Sequence, residues 1–232
     1  MADAKRVIKE GWGGRFYGDF EIGDVYQSPY GRTVTELDNS TFTHLTLNTN
    51  PATGGDVARY VAPYTGEKDS VYFQSFNRNK KSMTLNLQHE KGQDVLHKLV
   101  GVSDCVFNNL RGDLPAKLGL DYAALGKIKP EIVCCSLSAF GRASSRAAEP
   151  GYDYLMQGYA GWMSLTGEPD GAPQKAGLSL VDLSAGVMAS LGVVSAIMRA
   201  RDTGHGCDVD VNLFDVALSQ LGYVGAWHLT KG

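Results

Sequence analysis

Glu131-Ile132-Val133-Cys134-Cys135-Ser136-Leu137 is an apolar stretch introduced by Pro130. It is too short for a core helix and has no polar alternation that would turn one face to water, so it reads as a strand buried on both faces of a parallel sheet. Parallel neighbours require crossover connections, usually helical. The flanking sequence supplies them. Leu114 to Lys127 carries a helical pattern that ends before Pro130, and Asp104-Cys105-Val106-Phe107-Asn108 is a shorter strand run. Earlier still, His89 to Val100 sets Val95, Leu96, Leu99 and Val100 at helical spacing, and Met83, Leu85 and Leu87 alternate as in a strand. The order is β-α-β-α-β, an α/β class chain with an open parallel sheet.

Ligands of such sheets bind beyond the carboxyl ends of the strands. Here those ends are Asn108-Asn109-Leu110-Arg111 and Ser136-Leu137-Ser138-Ala139-Phe140-Gly141. Both suit a bound ligand and read equally well as ordinary βα turns.

Downstream, Tyr152 to Met163 is helix-like, Thr166 to Gly171 is a turn, and Leu178-Ser179-Leu180-Val181 is strand-like. Asp182 then stands immediately before the most regular helix of the chain. Leu183, Val187, Leu191, Val194 and Met198 form one stripe at spacings of four and three, flanked by small residues, which predicts a core helix. At that helix N-terminus, free backbone N–H groups favour an anion, so position alone makes Asp182 an N-cap. Asp208 to Leu213 alternates as a strand, and a last helical stretch runs from Asp215 towards Trp227.

The first fifty residues differ in character. Stretches such as Arg15-Phe16-Tyr17 and Thr33-Val34-Thr35, separated by turn signals, predict short β structure. The loop composition of Pro51-Ala52-Thr53-Gly54-Gly55 marks a boundary, giving an N-terminal segment of residues 1–51 and an α/β segment of residues 52–232.

A chain of 232 residues, 43% hydrophobic and 20% charged, is long enough for a sizeable core. Its net charge of -3 supplies no polyphosphate-scale positive field, which argues against nucleic acid as a partner. Cys105, Cys134, Cys135 and Cys207 lack C-x-x-C spacing and read as reduced structural thiols. The five histidines lack metal-ligand spacing, so no metal is expected. G-x-S-x-G, P-loop and G-x-G-x-x-G motifs are missing. Met1 to Glu10 lacks a signal-peptide core, and no segment approaches the ~20 apolar residues a membrane span needs, so no membrane partner and a cytoplasmic location are expected.

Several segments in order carry a resemblance. Val71 to Ser82 (Val71-Tyr72-Phe73-Gln74-Ser75-Phe76-Asn77-Arg78-Asn79-Lys80-Lys81-Ser82), Ser136 to Gly141, Pro150-Gly151-Tyr152-Asp153-Tyr154-Leu155-Met156-Gln157 and Thr203 to Val211, with Leu213 to Leu218, resemble landmarks of the family III CoA-transferases over about residues 58–227. The resemblance implies a Rossmann-like large domain, acyl-CoA and carboxylic acids as substrates, no tightly bound cofactor, and an interlocked homodimer. It makes Asp182 the nucleophile, forming first a mixed anhydride and then an aspartyl-CoA thioester. Coenzyme A is expected along Leu85, Asn86 and Leu87, then Asn109, Leu110 and Arg111, with Lys117 at a phosphate and Gly151 and Tyr152 bordering the pantetheine. Gln88 stands where family members often have a basic residue, and Lys117 where an arginine is usual.

Family members open with a β-α-β unit that nothing before Val57 matches, and they extend past Gly232. The expectation is therefore a large-domain portion incomplete at both ends. Gly14 to Asp24, Gly31 to Asp38 and Thr46 to Pro51 instead resemble the start of a MaoC-like enoyl-CoA hydratase, although Ala52 and Thr53 stand where that family places a catalytic histidine. Hydratases of that subtype act on mesaconyl-CoA, which suggests mesaconyl-CoA or another short dicarboxylyl-CoA as the substrate. The alternatives are a non-catalytic CoA-binding remnant and, third, a hydratase.

Overall fold

The computed structural model describes residues 8–10, 25–27, 57–65 and 69–231. The chain divides into a unit of residues 1–39 and a unit of residues 40–232. In the first, β1 (Ile8–Glu10) pairs in parallel with β2 (Val25–Gln27). The predicted strands at Arg15 to Tyr17 and Thr33 to Thr35, and the three hydratase-like segments, lie outside the described residues.

The second unit opens with a single 3-10 turn (Val57–Tyr60) and a short antiparallel pair, β3 (Tyr64–Thr65) with β4 (Asp69–Ser70). Ser70 then caps α1 (Val71–Phe76), its hydroxyl accepting the Phe73 N–H at 3.2 Å. Next come α2 (Glu90–Gly101), β5 (Cys105–Asn108), α3 (Leu114–Lys117), α4 (Tyr122–Leu125), β6 (Val133–Ser138), α5 (Asp153–Tyr159), α6 (Leu180–Thr203), β7 (Cys207–Asn212), α7 (Leu213–Gln220) and α8 (Gly222–Lys231).

β6 lies between β5 and β7, parallel to both, with Cys105 opposite Val133 and Ser138 opposite Asn212. Every residue of β6 is buried, as its unbroken apolar reading requires. Alternation along it separates two cores. Val133, Cys135 and Leu137 join one cluster with the small residues of α6, while Cys134 joins Val106, Ile132, Leu96 and Val100 in the other. The result is a layer of helices on each face of the sheet, in which each fully buried Val or Leu contributes roughly 1.5–3 kcal/mol.

β7 alternates for a second reason. Val209 and Val211 pack on the α6 side. Asp208 takes the Arg142 guanidinium at 2.7 Å and the Tyr122 N–H at 3.0 Å, and Asp210 takes the Arg142 N–H at 2.9 Å. The two aspartates thereby moor the loops after β6 and before α4.

Six expectations need correction, five of them on the bounds and facing of single elements. No strand forms over Met83 to Leu87, because no neighbouring strand among the described residues offers this segment a ladder, and only Leu87 is buried. The helix expected over Leu114 to Lys127 is two short ones, parted near Gly119, whose φ of +67° is left-handed. The last helical stretch likewise divides into α7 and α8. The strand-like Leu178 to Val181 contains no strand, since α6 already begins at Leu180. Finally, α6 is turned the other way round from the expected core helix.

The buried face of α6 is Val181, Ala185, Ala189, Val193, Ala196 and Ala200. Small residues let the helix backbone approach β6 and β7, while the larger stripe points outward, with Val187 70%, Leu191 67% and Met198 63% exposed. Being apolar all round, α6 is also long and apolar enough to cross a membrane, at 24 residues and a mean hydropathy of 1.8. The expectation that no segment reaches that length is corrected accordingly.

Candidate active site

Asp182 is the third residue of α6, inside its first turn, and Ser179 occupies the cap position without a side-chain capping bond. The cap comes from elsewhere. One carboxylate oxygen of Asp153, Oδ2, accepts the Val181 N–H at 2.8 Å and the Asp182 N–H at 3.0 Å. The other, Oδ1, accepts a short hydrogen bond from Gln157 Nε2, one turn along α5. Gln157 Oε1 in turn accepts the Ala176 N–H at 2.8 Å. Asp153 and Gln157 are 7% and 1% exposed.

The side chain of Asp182 is exposed and receives no hydrogen bond or cation among the described residues. Protein atoms crowd its carboxylate all the same. That desolvation, followed by the charge of Asp153, raises its carboxyl above the usual range.

The expected CoA contacts fall into groups. Leu87 is buried in the apolar cluster beside β5, and Leu85 and Leu110, each partly exposed, pack against it. Asn86 folds onto its own turn, accepting the Gln88 N–H at 3.0 Å. Asn109 reaches across the strand ends, its Nδ2 donating to the Leu137 carbonyl at 2.8 Å. Arg111 and Lys117 both close on Asp113, at 3.1 and 2.7 Å.

Gly151 packs against the residue that follows β6, where any Cβ would come within 2.6 Å of the Ala139 Cβ. Tyr152 beside it is 63% exposed and stacks on Tyr154, with rings 3° from parallel and 6.0 Å apart. Thus Gly151, Tyr152 and Asp153 run continuously from the end of β6 to the first turn of α6. The sequence did not predict roles for Asp153 and Gln157. Their one signal is an Asp…Gln pair at i, i+4 on a helix start.

A cavity of about 360 Å³ beyond β6 and β7 is lined by Phe140, Gly141, Arg146, Asp210, Asn212 and Asp215 among others. None of the expected site residues lines it. Two carboxylates on its wall oppose an anionic cofactor, and Arg146 is occupied, hydrogen-bonded to Glu149 and stacked 3.8 Å above Phe140.

The sequence profile of CoA-transferase family III matches residues 49–232. The chain is 34% identical over 188 residues to a succinate–glutarate CoA-transferase of Agrobacterium fabrum, covering 79% of this chain and 47% of that protein. It is 36% identical over 203 residues to an acetyl-CoA:oxalate CoA-transferase of Acetobacter aceti, covering 87% and 51%. Among solved structures, a CAIB/BAIF family protein from Brucella suis matches with a TM-score of 0.71 and 34% identity, covering 78% of this chain and 49% of that one. The chain thus spans about half the length of the curated relatives it matches. Matched along most of its length by the profile, and by relatives that share its fold, the chain belongs to CoA-transferase family III.

Proposed function

We propose that this chain carries the nucleophile and the acyl-CoA side of a CoA-transferase. The observation that carries the reading is Asp182: a carboxylate on the first turn of a long helix, without a hydrogen bond or cation of its own among the described residues. A carboxylate in that state has a raised proton affinity and is correspondingly more nucleophilic.

In the reading, an Asp182 oxygen attacks the thioester carbonyl, and the C–S bond breaks to give a mixed anhydride and CoA thiolate. The thiolate attacks the Asp182 acyl carbon, expelling the donor acid as its carboxylate and leaving an aspartyl-CoA thioester. An acceptor carboxylate attacks that thioester and releases the thiolate again. Thiolate attack on the acceptor carbon of this second anhydride gives the new acyl-CoA and frees Asp182. Every step is acyl transfer between oxygen and sulfur, so no redox group or metal enters the balance.

Arg111 and Lys117 serve the phosphates, Lys117 as a point charge. The backbones of Leu85 to Leu87 and of Asn109 and Leu110 border the cofactor, and Gly151 and Tyr152 border the pantetheine. Short dicarboxylic acids, mesaconate among them, are the proposed acyl groups; the names of the relatives, with succinate, glutarate and oxalate, support that class. The proposed assembly is a homodimer in which a second copy covers the outer stripe of α6, because so contiguous an exposed apolar face is characteristic of interaction surfaces.

The test is intact mass spectrometry after incubation with succinyl-CoA or mesaconyl-CoA. The expected result is a CoA adduct that hydroxylamine removes and Asp182→Asn abolishes. An adduct that survives in Asp182→Asn assigns the nucleophile elsewhere. Bound CoA with no adduct makes the chain a binding module.

A further inference from the structure

Asp153 lies under the first turn of α6 with three hydrogen bonds to its carboxylate and no cation within ion-pairing distance among the described residues. A helix start leaves N–H groups unpaired, and the residue at the cap position ordinarily satisfies that of the second or third helical residue with its side chain. Ser179 holds the cap position of α6 and makes no such bond. In α6 the Val181 and Asp182 N–H groups are taken instead by Asp153.

We infer that Asp153 is a positioning residue for the transfer reaction: by capping α6 in place of the Ser179 side chain, it fixes the α6 start against α5 and holds the backbone of Asp182 so that its carboxylate is presented for attack. The inference rests on the reading of Asp182 as the nucleophile. It places the acidic residue of the Tyr152-Asp153 pair one step behind the reacting group, acting through the backbone of the nucleophile itself.

The hydrogen bonds have a fixed polarity. Gln157 gives an N–H to Asp153 and takes one from Ala176. That relay also ties the segment leading into α6 to α5. Asp153→Asn breaks it: the introduced amide N–H faces the Gln157 N–H, and flipping Gln157 only sets its N–H against that of Ala176. Asp153→Asn with Gln157→Glu restores every donor to an acceptor and keeps the total charge, since the new carboxylate accepts from both the introduced amide and Ala176.

The decisive measurement is the rate of CoA-adduct formation against acyl-CoA concentration in wild type, Asp153→Asn and the double variant. It is paired with amide hydrogen exchange at Val181 and Asp182 by NMR. In Asp153→Asn the maximal rate is expected to fall by about tenfold or more while the half-saturating concentration stays within about twofold. Exchange at both amides accelerates in the same variant, because the clash of two donors at Gln157 pushes the introduced side chain away from the Val181 and Asp182 N–H groups. The double variant recovers the protection and comes back to within about threefold of the wild-type rate.

A wild-type rate in Asp153→Asn overturns the inference. So does a double variant that regains amide protection yet stays as slow as the single one. A wild-type chain that forms no adduct removes the nucleophile reading and the catalytic half of this inference with it. The capping half falls on its own result, unchanged exchange at both amides in Asp153→Ala, which removes the accepting oxygen.

Discussion

Lys117 Nζ lies 2.7 Å from the Asp113 carboxylate, and the same carboxylate holds the Arg111 guanidinium. The Lys117 hydrogen bond first, and Arg111 after it, keep the Asp113 carboxyl below its usual range. Both cations assigned to CoA phosphates are therefore engaged by one acid. A phosphate has to compete with that acid for them, and the contest is open to solvent and salt. Asp113→Asn should tighten CoA binding several-fold at low ionic strength and lose most of that gain at high salt, with little change in melting temperature. Calorimetric titration across a salt series checks it. Weaker binding in Asp113→Asn would mean that Asp113 orients the two cations for the ligand and does not compete with it.

Asp182 gives a second prediction. Its raised carboxyl means that the folded chain takes up a proton there more readily than the unfolded chain does. Ionisation of Asp182 thus costs folded-state stability at neutral pH, and the cost is relieved as pH falls through its folded-state value. The helix terminus offers little compensation, because Asp153 already occupies its N–H groups. Asp182→Asn should therefore melt above wild type at neutral pH, and the difference should close as pH falls into the ordinary carboxylate range. Thermal melts across pH check this, and a variant that melts below wild type at neutral pH would contradict it.

How much of this was legible in sequence depends on whether the deciding interaction is local. β5, α2, β6 and β7 were readable because each carries its own periodicity, and β6 declares its double burial by the lack of alternation. Met83 to Leu87 alternates just as well, yet a strand also needs a neighbour, which is a long-range condition. On α6 two apolar stripes of the same period run side by side, and periodicity cannot say which faces the sheet. Backbone approach decides in favour of the alanines. Asp182 was identifiable as the candidate nucleophile, whereas its cap comes from Asp153, 29 residues away in sequence.

The cysteines supply a third test. Burial pushes the Cys105 and Cys135 thiols up to about 12 and raises Cys134 as well, so the three have almost no thiolate at ordinary pH. Cys207 opens β7 and is half-buried. A disulfide-exchange reagent should label one thiol of the native chain quickly, at Cys207, and all four once the chain is denatured. Rapid native labelling of Cys134 or Cys135 would show that β6 is not the enclosed central strand.

The last prediction concerns the two faces of α6. Ala189 is fully buried against the sheet, while Val187 and Leu191 are 70% and 67% exposed. A larger side chain at Ala189 must push the helix off β6 and β7, and overpacking of that kind costs roughly 1–3 kcal/mol. Trimming the outer stripe removes few intrachain contacts, so Val187→Ser and Leu191→Ser should each change monomer stability by about 0.5 kcal/mol or less. Urea unfolding of Ala189→Leu, Val187→Ser and Leu191→Ser at low protein concentration separates the two faces. If the outer stripe is covered by a second copy, the two serine variants will also weaken self-association in sedimentation, whereas Ala189→Leu will lower stability at every concentration. The opposite ranking, with Leu191→Ser the most damaging in dilute monomer, would mean that the larger stripe packs on the sheet after all and that α6 is rotated from the orientation described.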